Sequence, residues 1–160
     1  MKISIIYYSQ SGNTAAMAAD IARGMAGVEG VEAQCFALDA VDAAFVQESC
    51  AVVFGTPTYY ANTCWQIKQW FDESSISLAG KMGAAFATAG FLQGGAGTAI
   101  NTLNDHLIAK GMLVYTGGCV SGSPMFHLGA IGLADELRDK ADDFAAFGAR
   151  FAQMAVQVFG

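Results

Sequence analysis

Near the start of the chain, residues 5–14 read Ile5-Ile6-Tyr7-Tyr8-Ser9-Gln10-Ser11-Gly12-Asn13-Thr14. The first four of these residues form an apolar run typical of a strand, and a small-residue helical pattern begins at Ala15. The sequence therefore predicts a strand, a hydroxyl-rich turn and the start of a helix. Such a junction collects unpaired backbone N–H groups at the positive end of a helix dipole, where a phosphate binds well.

The predicted phosphate-binding turn contains hydroxyl and amide groups but no cation. No Lys or Arg occurs between Lys2 and Arg23. A phosphate held here would be bound by backbone amides and hydroxyl donors, without a charged clamp. This arrangement favours a tightly held mononucleotide over a transient polyphosphate substrate, which usually brings Mg²⁺ and a phosphate-binding lysine.

Length and charge narrow the class of protein. At 160 residues the chain fits one domain spanning residues 1–160, and its net charge of -6 argues against nucleic-acid binding, which needs a basic surface. No apolar stretch approaches the roughly 18 residues of a membrane span, and the first residues read as a strand rather than a basic leader. We therefore expect a cytoplasmic protein with no nucleic-acid partner and no membrane span. The hydrophobic fraction of 54% leaves two explanations open, dense helix packing and a homo-oligomer.

The sequence lacks the motifs of three other kinds of site: a metal site, a phosphorylated receiver site and a serine nucleophile. The cysteines form no C-x-x-C pair and there are only two histidines, so no metal site is expected. A phosphorylated receiver domain needs an acidic Mg²⁺ pocket after the first strand, and Tyr7-Tyr8-Ser9 offers none. The chain also has no G-x-S-x-G nucleophile elbow.

Strands and helices alternate along the chain. The strands are predicted at residues 5–8, 31–37, 50–54, 82–87 and 112–115, and the helices at 15–25, 40–48, 62–71 and 98–109, with a helical tail from Leu137 onward. This alternation predicts a parallel sheet covered by helices on both faces, a three-layer α/β sandwich. Residues 117–132 are predicted to be irregular, and loops of that length inside compact domains are often functional.

Three loops are expected at the carboxyl ends of the strands, where ligands bind in open α/β sheets. We call residues 9–14 loop one, 56–61 loop two and 88–95 loop three. No charged side chain occurs from Gly55 to Ile67 or from Met82 to Asn104. A flat, uncharged ring would fit between aromatic side chains of loop two and backbone groups of loop three. A phosphate in loop one and a ring between the other two loops describe FMN.

The chain resembles the flavodoxin family. The residues that carry the resemblance are Ile5-Ile6-Tyr7-x-Ser9-x-x-Gly12-x-Thr14-x-x-x-Ala18-x-x-Ile21, which match the phosphate-loop signature of that family. Loop two with residues 66–72, and loop three with Lys110-Gly111-Met112, most resemble the tryptophan-repressor-binding-protein group of NAD(P)H:quinone oxidoreductases. The likeness extends to about Tyr115. It implies a flavodoxin-like fold with a five-stranded parallel sheet in the order 2-1-3-4-5.

The resemblance also implies which residues hold the cofactor. The FMN-binding residues would be Ser9, Gln10, Ser11, Gly12, Asn13, Thr14, Pro57, Thr58, Tyr59, Tyr60, Thr88, Ala89, Gly90, Gln93, Gly94 and Gly95. Tyr59 would take part in catalysis beside the ring. In the quinone-reductase group a histidine after the fifth strand approaches the flavin, and His127 is the candidate here. A solvated surface position is the other interpretation of His127.

Two functions are compatible with such a site. One is two-electron reduction of a quinone-like acceptor, with NAD(P)H as the electron donor and FMN supplying the chemistry. The other is a flavodoxin-type carrier that passes single electrons between redox proteins and docks through an acidic rim. Acidic residues cluster at 39–48 and 135–143, away in sequence from the uncharged loops two and three. On sequence alone this distribution favours the reductase with a small neutral partner.

Overall fold

The computed structural model describes the whole chain, Met1–Gly160. The strands are β1 (Lys2–Tyr7), β2 (Glu32–Ala37), β3 (Ala51–Tyr59), β4 (Asn62–Thr63), β5 (Met82–Ala89), β6 (Leu113–Val114) and β7 (Ala130–Leu133). The helices are α1 (Asn13–Ala26), α2 (Ala43–Glu48), α3 (Trp65–Glu73), α4 (Ala96–Ala109) and α5 (Ala141–Phe159). None of these helices combines the length and hydrophobicity needed to cross a bilayer.

The main sheet has the strand order β2-β1-β3-β5-β6, and all of these neighbours are parallel. Without the short β4, this is the predicted order 2-1-3-4-5, so the flavodoxin-like fold is confirmed. In the middle of β1, Ile5 lies opposite Cys35 of β2 and Val53 of β3. Strand β5 is buried along its whole length, as expected for a parallel strand covered on both faces.

Helices cover both faces of the sheet, because successive side chains of a strand point to opposite sides. Ile3 and Ile5 of β1 face the layer formed by α1 and α5. Ile6 of the same strand faces the other layer, formed mainly by α3 and α4. The three-layer sandwich predicted from the alternation of elements is therefore present.

Two glycines let α1 and α5 approach each other closely. A Cβ atom on Gly24 would lie 1.8 Å from the carbonyl oxygen of Ala145, and one on Gly148 would lie 2.0 Å from that of Ile21. Each helix thus presents a glycine to the backbone of the other. The contact fixes α1, whose first residue follows loop one, against the longest helix of the protein.

Two segments around loop two differ from the prediction. The helix expected from residue 62 begins at Trp65, because Asn62 and Thr63 form β4 and pair with the end of β3. Strand β3 continues past residue 54 to Tyr59. Pro57 is tolerated in it because β1 ends opposite Gly55, which leaves that edge of β3 without a strand partner. Loop two is therefore the arm and turn of a β-hairpin.

The segment predicted to be irregular contains a strand. Strand β7 pairs with the second half of β5, Phe86–Ala89, whereas β6 pairs only with Met82 and Gly83. The chain between β6 and β7 leaves the sheet edge and returns to it. Periodicity does not reveal a four-residue strand whose hydrogen-bond partner lies far away in sequence.

Arg150 of α5 holds this excursion, which we define as residues 115–129. Its guanidinium donates hydrogen bonds to the carbonyl oxygens of Ser121, Gly122, Ser123 and Pro124. The same group lies 5.5 Å from the ring centre of Phe126. One cation thus binds several carbonyl groups of a turn that has no regular hydrogen-bonding pattern of its own.

Replacing Gly148 by Ala should lower the free energy of unfolding by about 1–3 kcal/mol, the usual effect of forcing extra volume into a packed contact. The measurement is urea denaturation followed by circular dichroism. Gly97→Ala is the matched control, because a Cβ at this helical position meets nothing within 4 Å. It should leave stability unchanged or raise it by up to about 1 kcal/mol. Equal effects of both substitutions would contradict the close α1–α5 contact.

Candidate functional site

Loop one ends in a concave group of free amides at the start of α1. Gly12 adopts a left-handed conformation with φ 91°, and a Cβ added to it would meet nothing within 4 Å. The N–H groups of Ser11, Gly12, Asn13 and Thr14 donate no hydrogen bond within the protein. The next amide, that of Ala15, donates to Ser9 Oγ at 3.2 Å. Free amides at the positive end of a helix form a nest for an anion.

A buried hydroxyl pair connects loop one to loop three. Thr14 Oγ1 and Thr88 Oγ1 lie 2.8 Å apart, and the two residues are only 1% and 4% exposed. In such a pair one hydroxyl donates to the other. The second hydroxyl hydrogen then remains available for another acceptor, such as a phosphate oxygen.

A second hydrogen bond connects loop two to loop one. The Tyr59 hydroxyl donates to Gln10 Oε1 at 2.8 Å. Burial, with smaller contributions from neighbouring Tyr8 and Cys64, raises the pKa of Tyr59 above its ordinary value. The phenol therefore remains protonated and able to donate at neutral pH. The predicted catalytic role of Tyr59 stays a prediction, and the bond to Gln10 is its contact in the structure.

The turn of the hairpin is strained. Tyr60 and Ala61 both have positive φ, 48° and 62°, although neither is glycine. Two-residue hairpin turns of this type strongly favour Asn-Gly or Gly-Gly. Backbone strain of this kind clusters at functional sites. Gly95 allows loop three to reach the turn, since a Cβ on it would lie 2.6 Å from that of Ala61.

Loops two and three enclose an uncharged cavity of about 510 Å³, which we call the ring-side cavity. Predicted residues that line it are Thr58, Tyr59, Tyr60, Ala89, Gly90, Gln93 and Gly94. Ala61 and Phe91 line it as well and were missed. Both are neighbours of predicted residues, and recognising the tight turn at Tyr60 would have pointed to Ala61. Predicted residues Pro57, Thr88 and Gly95 do not line the cavity.

His127 does not line the ring-side cavity. This residue lies in the excursion and lines a separate cavity of about 500 Å³ with Ile100 of α4, Leu128 and Glu136. The two cavities share no lining residue, although Leu133, which lines the second one, pairs with Ala89 of loop three. The expected approach of His127 to a flavin therefore stays a prediction.

The residues present fit a mononucleotide with a flat ring. Loop one offers free amides and open space at Gly12 for a phosphate. Thr58 Oγ1 beside the ring-side cavity is buried and has no hydrogen-bond partner, so a ligand atom could satisfy it. Fold and loops together define the class: an α/β protein that binds a mononucleotide beyond the carboxyl edge of its sheet.

Comparison with known proteins identifies the family. The flavodoxin family profile matches residues 5–160, and the chain belongs to this family of FMN-binding redox proteins. It is 47% identical over 161 residues to a flavodoxin of Clostridium saccharobutylicum, and the alignment covers 99% of this chain and 100% of that protein. It is 32% identical over 144 residues to an NAD(P)H dehydrogenase (quinone) of Solidesulfovibrio magneticus, which covers 71% of this chain and 70% of that one.

Solved structures are similar over almost the whole length. A flavodoxin from the domain Archaea has a TM-score of 0.80 at 25% identity and covers 98% of this chain and 99% of its own. The flavodoxin, WrbA-like protein from Agrobacterium tumefaciens has a TM-score of 0.79 at 24% identity, covering 98% of each chain. At that level of identity the second comparison shows the fold alone.

Replacing Ala61 by Gly should raise the free energy of unfolding by about 1 kcal/mol, because a left-handed conformation costs a residue with a Cβ roughly 1–2 kcal/mol. Thermal unfolding of the protein measures the change. The same substitution at Ala22, inside α1, is the control and should lower stability by about 1 kcal/mol. A loss of stability at both positions would show that Ala61 is not held in the left-handed region.

Proposed function

We propose that this member of the flavodoxin family carries single electrons between redox proteins and docks a basic partner beside the ring-side cavity. One observation carries the proposal. The amide of Ala134 donates to the carbonyl of Ala89 in loop three at 2.9 Å, so the residues after β7 follow directly beside that loop. Asp135, Glu136 and Asp139 in this segment are all exposed.

Residues 135–143 contain more acids than bases. The acids are Asp135, Glu136, Asp139, Asp142 and Asp143, and the bases are Arg138 and Lys140. Lys140 forms an ion pair with Asp143 at 3.4 Å. Asp142 is also paired, with Arg23 at 3.1 Å. The charge left on Asp135, Glu136 and Asp139 would steer a basic protein towards the ring-side edge. Acids that lie far from loop three in sequence therefore lie beside it in space, which weakens the sequence argument for a small neutral partner.

A second acidic group extends the negative rim. The amide of Leu38 donates to the carbonyl of Tyr7 at 2.9 Å, so Asp39 follows beside the start of loop one. Asp39 is exposed and forms no ion pair. Loops one and three thus each have acidic side chains beside them.

Exposed apolar side chains supply the centre of the docking surface. Tyr60, Phe91 and Leu92 project into solvent around the ring-side cavity. An apolar centre within a charged rim is the usual anatomy of a protein interface. It would bring a partner close to the bound ring, and electron transfer requires such proximity.

FMN bound here supplies the redox chemistry, and the protein binds and orients it. We assign the phosphate to the amides of loop one and to the hydroxyl pair of Thr14 and Thr88. The orphaned hydroxyl of Thr58 is available to a polar edge of the ring. No Lys or Arg lines the ring-side cavity.

Reduction of a quinone-like acceptor by NAD(P)H is the second candidate function. The relative named NAD(P)H dehydrogenase (quinone) favours it, as does an uncharged cavity that would accept a neutral quinone. The two functions differ in electron donor and in salt dependence. Both can be measured on the FMN-loaded protein.

The decisive experiment is stopped-flow mixing of the photoreduced, FMN-loaded protein with cytochrome c, a small basic redox protein. We expect rapid reduction whose rate falls as salt screens the acidic rim. Replacing Asp135, Glu136 and Asp139 together by their amides should slow the low-salt reaction about tenfold.

A matched triple variant controls for net charge. Replacing Glu29, Glu32 and Asp105 by their amides removes the same charge from positions outside the ring-side edge, and its rate should stay within about twofold of the wild type. Flavin bleaching by NADH or NADPH within one turnover, with no effect of salt on cytochrome c reduction, would support the reductase instead.

Replacing Thr14 by Val should weaken FMN binding by about 1.5–3 kcal/mol, because it removes a hydroxyl donor to a charged phosphate. Fluorescence titration of the apoprotein with FMN measures the affinity. Thr14→Ser retains the hydroxyl and should stay near wild-type affinity. Stability is measured in parallel, since Thr14→Val also leaves the buried Thr88 hydroxyl without its partner. Unchanged FMN affinity in Thr14→Val would refute the phosphate assignment.

A further inference from the structure

We propose that a second cavity, between the β2–α2 connection and α3, is a binding site for an organic cation with an aromatic or aliphatic body. The cavity has a volume of about 680 Å³, within the range of about 300–1,000 Å³ typical of small-molecule sites. It shares no lining residue with the ring-side cavity. The proposal concerns a ligand other than the flavin, although Ser9 of loop one and Asp39 of the acidic rim belong to its lining.

The cavity exists because α2 is short. This helix spans only Ala43–Glu48, so the residues between β2 and α2 form one wall without filling the space beneath them. The opposite wall is α3 with the residues that follow it. Tyr7, the last residue of β1, and Tyr8 and Ser9, which follow it, complete the lining.

Two carboxylates and one orphaned acceptor belong to residues that line the cavity. Gln66 Oε1 is buried and has no hydrogen-bond partner, although buried acceptors in native proteins nearly always have one. Asp39 forms no hydrogen bond to another side chain or to the backbone. Glu73 accepts only from Gln69, at 3.0 and 3.2 Å. Neither Lys nor Arg lines the cavity. A complementary ligand therefore brings N–H donors and positive charge.

The remaining lining suits the body of such a ligand. Tyr8 and Trp70 provide aromatic surface, and Leu38 and Ile76 provide aliphatic surface. Trp70 is held in place by Phe54, whose ring centre lies 5.2 Å away. A cation close to Tyr or Trp gains additional attraction from the ring. An anion would be repelled by Asp39 and Glu73, and a purely apolar molecule would leave Gln66 Oε1 unsatisfied.

The test uses 2-phenylethylamine as the probe and the FMN-loaded, ¹⁵N-labelled protein. We expect saturable NMR shifts of amides in residues 37–41 and 66–76 and of the Trp70 indole N–H, which Trp65→Phe assigns. The uncharged isostere 2-phenylethanol should bind at least about tenfold more weakly, since it loses the charge and two donors. Asp39→Asn should weaken amine binding about fivefold, the upper end for one exposed ion pair. Gln66→Met should also weaken it.

Asp105→Asn, on α4 outside this cavity, is the matched control and should leave amine binding unchanged. Because Asp39 is exposed and accepts no hydrogen bond, Asp39→Asn tests the site without a packing change. Equal binding of the amine and the alcohol, shifts confined to other regions, or identical affinities in Asp39→Asn and Asp105→Asn would overturn the proposal. The cytochrome c reaction plays no part in any of these outcomes, so the two proposals fail separately.

Discussion

The parallel register of β1, β3 and β5 is the constraint on which the site depends. Tyr7 lies opposite Gly55, Gly55 opposite Phe86 and Pro57 opposite Thr88, so loops one, two and three begin at the same edge of the sheet. Gly55 keeps this register possible, because a Cβ there would lie 2.0 Å from the Phe86 ring. The bonds from Thr14 to Thr88 and from Tyr59 to Gln10 then connect loops that the chain order separates.

The site contains several features that lower the stability of this protein when no ligand is bound. Its free amides in loop one, the orphaned Thr58 hydroxyl and the left-handed Tyr60 and Ala61 lie within three short loops. The α1–α5 glycine contact and the buried strands supply the rigid frame that keeps them in place. A ligand that satisfies these groups stabilises the folded state by mass action. Affinity for the cofactor and strain of the empty loops are therefore linked.

Local sequence patterns predicted most of the strands and helices of this protein. Most of the errors concern strands that pair with residues far away in the chain. Loop one was predictable because a strand, a hydroxyl-rich turn and a helix follow each other without interruption. Strands β4 and β7 are two and four residues long and exist through their partners, so neither has a periodic signal. The same difficulty affected function: the acids after β7 flank loop three only because Ala134 bonds to Ala89. The placement of His127 depended on the excursion and could not be predicted from residue order.

Strands β6 and β7 pair with different halves of the same edge of β5. This arrangement affects how the segment between them can evolve. The excursion is a side branch that leaves and rejoins the sheet without passing through any cofactor loop, and its anchor is the guanidinium of Arg150 on the far helix. Its length and composition can therefore change without altering the sequence of loops one, two and three. Residues 115–129 can vary among related proteins, and so fit different partners, while loops one, two and three stay the same. In protein engineering, the same residues offer a position for inserting an added segment.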